Sequence, residues 1–167
     1  WKKFAYIAGS AAVNAATNSV YGEMRAIPET RALIQSAVAE VLAVGRALGA
    51  PVMDDSLEWA MTSLDRFPAQ GRASLAKDFL ENRPVELEGL TGTVVRMGRE
   101  AGVPTPVNDA LYAILKPWAA RIEAGLKPRL QLGRPIWEIP AQVERECHAT
   151  PQGTPSLFHQ GPGERLQ

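Results

Sequence analysis

The stretch that decides the fold is PETRALIQSAVAEVLAVGRALG, residues 28–49. It opens with Pro28, whose fixed φ and missing N–H suit the first turn of a helix, and it closes at Gly49, a residue suited to a helix C-terminus. Its apolar residues recur at intervals of three and four, which places them on one helical face. They are Leu33, Ile34, Ala37, Val38, Val41, Leu42 and Val44. The pattern predicts an amphipathic helix that packs against other helices through this face.

Helical patterns lie on both sides of this stretch, and no convincing alternation of apolar and polar residues, as in a strand, interrupts them. Residues 1 to about 19 form an alanine-rich helical segment, which we expect to end at Tyr21-Gly22. Further along, the Asp-Asp-Ser run at 54–56 supplies N-cap chemistry for another helix. Two more helices are expected, over about 71–82 and about 85–101.

A sixth helix is expected after Gly102, which we interpret as the C-cap of the helix before it. Thr105-Pro106 gives an N-cap residue followed by a first-turn proline. Pro117 should kink or interrupt this helix, because an internal proline removes a hydrogen bond and clashes with the preceding turn. Six helices without a sheet indicate an all-α bundle.

The sequence changes character after about Pro128, where prolines and glycines recur without a sustained period. We therefore expect a helical domain over 1–127 and an irregular tail over 128–167, mobile towards its end. Because Trp1 opens the chain inside a predicted helix, we also expect that the natural protein begins upstream of it.

Composition weakens several classes of function. Lys plus Arg equals Asp plus Glu at 18 each, so no net charge attracts nucleic acid or an anionic membrane. No run is long and apolar enough for a membrane span, and none resembles a signal peptide. Cys147 is the single cysteine, which is typical of a reduced, cytoplasmic protein. Cys147-His148 lacks zinc-ligand spacing, and no metal site is predicted.

Familiar catalytic templates are also missing from the sequence. There is no nucleophile elbow, no phosphate-binding P-loop, and no glycine-rich turn between a strand and a helix. The two histidines, His148 and His159, both lie in the predicted tail. The helical part therefore offers no histidine base for a Ser-His or Cys-His mechanism.

The first helix carries a polar stripe on an otherwise small and apolar segment. Because each helical residue advances about 100°, Ser10 and Asn14 point within about 20° of Lys3, and Thr17 within about 40°. Such a stripe on a helix that is apolar elsewhere suggests a wet cleft with one cation. An ordinary solvent-facing stripe with a snorkelling lysine is the alternative, and the more common one.

A second polar group lies near the fourth helix. Ser74 and Asp78 are four residues apart and share a helical face, and Glu86 follows beyond Pro84. Ser and Glu side chains beside a cleft can hold a hydroxy acid, whereas an exposed helix with solvated charges would show the same pattern. The sequence does not establish that Glu86 and Lys3 meet.

Two stretches resemble the C-terminal domain of the ketopantoate reductase (2-dehydropantoate 2-reductase) family. One is WKKFAYIAGSAAVNAATNSVYGEMRA, residues 1–26, with a lysine after a tryptophan. The other is SLAKDFLENRPVELEGLTGTVVRMGREAGVPTPVNDALYAILKP, residues 74–117. The second matches the family's spacing without a gap, and its matching positions are Ser74, Asp78, Glu86, Gly92, Gly102, Pro104, Pro106 and Asn108. The resemblance covers roughly residues 1 to 127.

The resemblance implies a helical bundle of the 6-phosphogluconate dehydrogenase C-terminal-domain-like type. In this family a separate Rossmann domain binds NADPH, and the substrate lies between the two domains. The implied reaction reduces 2-dehydropantoate, or a related 2-keto acid, to (R)-pantoate on the route to pantothenate and coenzyme A. The Rossmann domain is absent from this chain, so we expect the chain alone to be inactive.

Roles for individual residues also come from the resemblance. Lys3 would be the general acid that protonates the carbonyl oxygen as hydride arrives, a role that suits an ammonium group in a closed site. Glu86 would orient the lysine or accept from the substrate hydroxyl, and Ser74 would bind the substrate. Ser10 and Asn14, on the Lys3 face, complete the predicted substrate-binding set.

The chain departs from the family's pattern beside the lysine. Many members carry asparagines four and eight residues after it, where this chain has Ile7 and Ala11. Asn14 lies on the same face and could substitute in part. The departure leaves open a different mode of binding, or a substrate other than 2-dehydropantoate.

Two other functions stay open at this point. One is a helical module that binds a small acid or a partner chain without catalysis. The other is a dimerisation domain, since helical domains of this dehydrogenase type often form homodimers. The apolar faces that hold Val94 and Leu111 would serve a core or a dimer interface equally well.

Overall fold

A computed structural model describes residues 1–126 of the 167-residue chain. Within this range the chain forms helices only, without a β-strand, which confirms the predicted all-α fold. The helices are α1 (Lys2–Thr17), α2 (Tyr21–Ala26), α3 (Pro28–Ala47), α4 (Ser56–Asp65), α5 (Ser74–Leu80), a π-helical turn (Glu88–Gly92), α6 (Thr93–Ala101) and α7 (Pro106–Glu123). The predicted tail over 128–167 lies outside the described residues, as does the last residue of the predicted helical domain.

Helix α1 lies at the centre of the bundle. It packs against α3, α4, α5, α7 and the π-helical turn, and every residue from Ala8 to Ala15 is buried. Small side chains allow its neighbours to approach closely. A Cβ placed on Gly9 would lie 2.7 Å from Val38 Cγ2 and 2.9 Å from the backbone nitrogen of Val38. The alanine-rich sequence therefore forms the core helix around which the others pack.

The stretch 28–49 forms the longest helix, α3, as its sequence pattern predicts. Its predicted apolar face contributes Ile34, Val38 and Leu42 to the core. Gly49 lies just beyond its end with φ +75°, and Gly102 follows α6 with φ +66°. Both glycines take the left-handed conformation that favours glycine after a helix, so both predicted ends are confirmed.

The prediction for Tyr21-Gly22 is wrong, because these residues begin a short helix rather than a break. Helix α1 already ends at Thr17, where Asn18 takes a left-handed conformation. The Glu23 carboxylate then accepts the Val20 N–H at 2.9 Å, and this contact stabilises the first turn of α2. The capping residue, Glu23, directly follows Gly22, and a glycine at this point of a sequence usually indicates a turn.

Pro117 does not interrupt α7, which runs continuously to Glu123, so of the predicted kink or interruption the interruption is wrong. Leu115 and Ala119, on either side of the proline, are both buried. Trp118 packs on Phe79, with the ring centroids 4.7 Å apart. We attribute the continuity of the helix to this packing, which offsets the hydrogen bond that the proline removes.

The N-cap residues of α4 and α7 lie where the sequence predicted them, but their side chains do not form the predicted capping hydrogen bonds. Asp55 is the N-cap residue of α4 and Thr105 that of α7, and neither side chain caps its own helix. The Asp55 carboxylate instead pairs with Lys2, and the Thr105 hydroxyl donates to Asp109. No helix within residues 1–126 is long and apolar enough to cross a membrane.

Candidate functional site

Two adjacent lysines at the start of α1 have different surroundings. The Lys2 ammonium donates to Asp55 at 2.8 Å and lies 5.9 Å from the centroid of the Trp59 ring. Lys3 is exposed and forms no hydrogen bond or ion pair within the part of the chain that the structure describes. Lys2 therefore joins α1 to the start of α4, whereas the Lys3 ammonium makes no such contact within residues 1–126.

Ser10 and Asn14, which share the Lys3 face in sequence, lie in the interior. The Ser10 hydroxyl donates to the Tyr6 carbonyl at 2.7 Å. The Asn14 amide donates to the Ser19 carbonyl at 2.6 Å and to the Met24 sulfur at 2.9 Å. Its Oδ1 accepts the Ala73 N–H at 2.8 Å, so every polar atom of this side chain has a partner.

The polar stripe of α1 is therefore divided rather than continuous. Lys3 and Thr17 are exposed at its two ends, while Ser10 and Asn14 between them are almost fully buried. Residues 1–126 do not form the continuous wet cleft that the stripe suggests. The substrate-binding roles of Ser10 and Asn14 stay predictions.

Ser74 is exposed at the first position of α5, and the contacts around it fix this helix to α1. The Ala73 N–H bonds to Asn14 in the second half of α1. Next to it, the Arg72 guanidinium donates to the carbonyls of Asn18 at 2.6 Å and Ser19 at 3.0 Å. These contacts hold the start of α5 against the end of α1.

Glu86 is exposed in the connection between α5 and the π-helical turn. Its carbonyl accepts the Leu90 N–H at 3.1 Å, and the next residue, Leu87, is buried in the core. The backbone of Glu86 is thus anchored while its carboxylate faces outward. Asp78, the other carboxylate of the predicted cluster, pairs with Arg83 at 2.8 Å.

Lys3 lies in the first turn of α1, Ser74 begins α5, and Glu86 lies two residues before the π-helical turn. Both α5 and the π-helical turn pack against α1. All three side chains are exposed and make no hydrogen bond to one another in residues 1–126. The arrangement places an ammonium near the start of α1, a hydroxyl near its end, and a carboxylate just before the π-helical turn.

Glu88, the carboxylate of the π-helical turn, was not singled out in the sequence analysis. It accepts hydrogen bonds from the Tyr112 hydroxyl at 2.7 Å, from Arg96 at 2.9 Å and from the Lys116 ammonium. These bonds, the one from Lys116 above all, lower the pKa of Glu88 to about 2. A Cβ on Gly92 would lie 2.8 Å from this carboxylate, so a larger residue there would displace the Glu88 side chain.

Glu40 of α3 caps α7 across the bundle, and the sequence analysis missed this contact as well. Its carboxylate accepts the backbone N–H groups of Val107 at 2.8 Å and Asn108 at 2.9 Å, and the Asn108 side-chain amide at 2.7 Å. The Asn108 amide also donates to the Ala37 carbonyl at 3.1 Å. Asn108, part of the family-like run, thus joins α7 to α3. Only the fold brings Glu40 to these residues, which follow it by more than sixty positions.

The described residues contain no group of three or more His, Cys, Asp or Glu side chains placed to hold a metal ion. They also lack a strand followed by a glycine-rich turn, the usual phosphate cradle for a dinucleotide.

Comparisons with a family model and with curated sequences point to the same family. Residues 1–119 match the family model described as the ketopantoate reductase PanE/ApbA C terminal. The 2-dehydropantoate 2-reductase of Vibrio cholerae is 31% identical over 116 residues, which is 70% of this chain and 39% of that protein. The one from Mycobacterium tuberculosis is 34% identical over 87 residues, 52% of this chain and 30% of that protein. The chain thus spans less than half the length of these curated relatives.

Solved structures show the same fold. The dimeric ketopantoate reductase of Staphylococcus aureus superposes with a TM-score of 0.69 at 24% identity, covering 73% of this chain and 43% of that one. A PanE/ApbA family ketopantoate reductase from Ralstonia eutropha gives 0.66 at 26% identity, over 74% of this chain and 41% of that one. D-mandelate dehydrogenase with NADH gives 0.63 at 16% identity over the same two shares. The fold is therefore that of the helical part of such reductases.

Proposed function

The chain belongs to the ketopantoate reductase family, a family of oxidoreductases, and we propose that it forms the substrate-side domain of a nicotinamide-dependent reductase. Its reaction would reduce 2-dehydropantoate, or a related 2-keto acid, to the (R)-2-hydroxy acid, on the route to pantothenate. The observation that carries the proposal is the exposed ammonium of Lys3 on α1. Helix α5, which begins at the exposed Ser74, and the π-helical turn, which follows the exposed Glu86, both pack against this helix.

Lys3 is the proposed general acid. Its ammonium hydrogen-bonds the ketone oxygen, polarises the carbonyl, and gives a proton to the oxygen as negative charge develops there. The contrast with Lys2 supports this assignment, because Lys2 is occupied by Asp55 and Trp59. A lysine side chain with no partner among residues 1–126 can be positioned by contacts with the substrate.

Ser74 and Glu86 are the proposed partners of Lys3. The Ser74 hydroxyl can donate to the substrate carboxylate, and the Glu86 carboxylate can orient the Lys3 ammonium or accept from the product hydroxyl. Both side chains project from backbone that is fixed to the core, by Ala73 and Leu87 respectively. A fixed backbone holds reacting groups in position at low entropic cost.

The hydride comes from a bound nicotinamide, and we propose NADPH as the cofactor. Residues 1–126 offer no phosphate-binding turn, so the nucleotide would be held mainly by another domain. We accordingly propose that the 167-residue chain does not turn over by itself. We also propose a homodimer, the state in which the Staphylococcus aureus relative is described. Light scattering of the purified protein tests the dimer.

The experiment that tests the function uses the complete polypeptide encoded by the gene of this chain. NADPH oxidation is followed with 2-dehydropantoate for the wild type, Lys3→Met and, as a matched control, Lys2→Met. We expect Lys3→Met to lower kcat by about 10²–10⁴-fold and Lys2→Met by less than about threefold. Equal activity of wild type and Lys3→Met would disprove the catalytic role. Absence of any 2-keto acid reduction by the wild type would leave the non-catalytic binding or dimerisation module as the function.

A further inference from the structure

The side chain that shares the exposed face of α1 with Lys3 is apolar. On a helix, residue i+4 lies about 40° and one turn away from residue i, and for Lys3 this residue is Ile7. Ile7 is half-buried, with one side packed against the core. Tyr6, the neighbour at i+3, is buried. A ligand at the Lys3 ammonium therefore meets Ile7 next along the helix.

The polar groups further along this face are already bonded within the chain. Ser10 is 2% exposed and donates to the Tyr6 carbonyl. Asn14 is fully buried, and its amide atoms bond to Ser19, Met24 and Ala73. Releasing the Asn14 side chain would leave the Ala73 N–H without its acceptor, at a cost of about 1–3 kcal/mol. Neither side chain has a donor hydrogen left for a substrate.

The surroundings of Lys3 on its other side are also apolar. Phe4 follows it directly, and the Phe4 and Trp1 rings pack edge to face with centroids 5.7 Å apart. Both residues are half-buried against the core. On this side, too, Lys3 has hydrocarbon side chains as neighbours.

We infer that Ile7 forms an apolar wall of the substrate pocket, and that the preferred substrate is a 2-oxo acid with a hydrocarbon substituent rather than a hydroxylated one. The inference rests on the proposed function and narrows its substrate class. The proposed function assigns the ketone oxygen to Lys3 and the substrate carboxylate to Ser74. The substituent on the ketone carbon is then the part of the substrate that packs beside Ile7. A hydroxyl on that substituent would lose its water and find no partner on α1, which is unfavourable.

A pair of acids that differ by one hydroxyl group tests the inference directly. Trimethylpyruvate has the carbon skeleton of 2-dehydropantoate without the terminal hydroxyl. With the complete gene product and NADPH, we expect kcat/KM for trimethylpyruvate to exceed that for 2-dehydropantoate by about 10- to 100-fold. A preference for 2-dehydropantoate overturns the inference and leaves the proposed reductase intact, whereas reduction of neither acid overturns both.

Variants then assign the preference to one residue. Ile7→Asn adds a hydrogen-bonding group at the wall, and we expect it to reduce the preference for trimethylpyruvate by about tenfold. The matched control is Ile114→Asn, the same change at a residue of α7 that is 63% exposed, which should leave the ratio unchanged. Ile7→Val, a milder change that keeps the wall apolar, should retain the wild-type preference. An unchanged ratio in a folded Ile7→Asn protein contradicts the role of Ile7.

Discussion

The first turn of α1 and the half of the helix that follows Ala8 use their polar groups in opposite ways. In the buried half, Ser10 and Asn14 bond entirely within the chain. In the first turn, Lys3 makes no such bond among residues 1–126. Buried polar groups must be paired in the folded chain, whereas water solvates an exposed cation, which needs no partner within the protein. The same helix thus contains one region whose polar groups stabilise the fold and another that carries the proposed general acid, Lys3.

The contrast predicts that substitutions in the two regions affect different properties. Changes in the buried half should lower the free energy of unfolding. Changes in the first turn at Lys3 should lower activity and leave stability almost unaltered. The predictions below test this separation, beginning with the change of largest expected effect.

Gly9→Ala should be the most destabilising of these substitutions. The new methyl group would lie within 3.0 Å of Val38 Cγ2, N and Cα, so α1 and α3 would have to separate. We expect a loss of about 3 kcal/mol in the free energy of unfolding, measured by urea titration with far-UV circular dichroism. Gly89→Ala is the matched control, because no atom lies within 4 Å of its added Cβ. Equal stability of the two variants would contradict the close α1–α3 contact.

Asn14→Ala should come next, with a loss of about 2 kcal/mol in the same measurement. The substitution removes the amide that satisfies the Ser19 carbonyl and the Ala73 N–H, and so loosens the start of α5. Ser10→Ala is an equally buried control whose hydroxyl bonds only to Tyr6 of its own helix. It should change stability by less than about 0.5 kcal/mol. A similar loss in both variants would show that burial alone, and not the bridge to α5, determines the effect.

Glu88 should make stability depend on pH in the acid range. Its pKa is about 2 in the folded chain against an ordinary value of 4.5, so its contribution is complete above 4.5 and is lost as the pH falls towards 2. The side chain is 44% exposed, so we expect less than about 1 kcal/mol. Acid titration of unfolding should show this loss in the wild type and not in Glu88→Gln. Glu58→Gln, at an exposed residue of α4, should retain it.

Lys3→Met should have the smallest effect on stability, less than about 0.5 kcal/mol, despite the large loss of activity expected from it. Lys2→Met breaks the ion pair with Asp55 and the contact with Trp59, and should cost about 0.5–1 kcal/mol. Thermal unfolding of both variants beside their kcat values gives the comparison. A Lys3→Met protein that is less stable than Lys2→Met would refute the separation between the two regions.

Much of the fold could be predicted because helix periodicity and helix ends are local properties. The three- and four-residue spacing within 28–49 and the glycines at 49 and 102 each predict their own element. One of the two errors came from a local cap that the sequence analysis missed, and the other from a local rule that a tertiary contact overrode. Tyr21-Gly22 starts a helix because Glu23 caps it, and Pro117 stays inside α7, where Trp118 packs on Phe79.

The candidate site could be predicted only as a set of residues. The family resemblance identified Lys3, Ser74 and Glu86, and the structure shows that all three are exposed. Nothing in the sequence distinguished Lys2 from Lys3 except position. The distinction depends on Asp55 and Trp59, which follow the lysines by more than fifty residues.

The sequence by itself determined the all-α class, the family and the approximate ends of most helices, because each depends on residues close together in the chain. Only the tertiary structure decided which polar residues are bonded in the interior and which are available to a ligand. Asn14 is occupied by Ser19, Met24 and Ala73, and the N-terminus of α7 by Glu40. A hydrogen bond is satisfied by whatever lies within about 3 Å of it in space, and separation along the chain does not determine that distance.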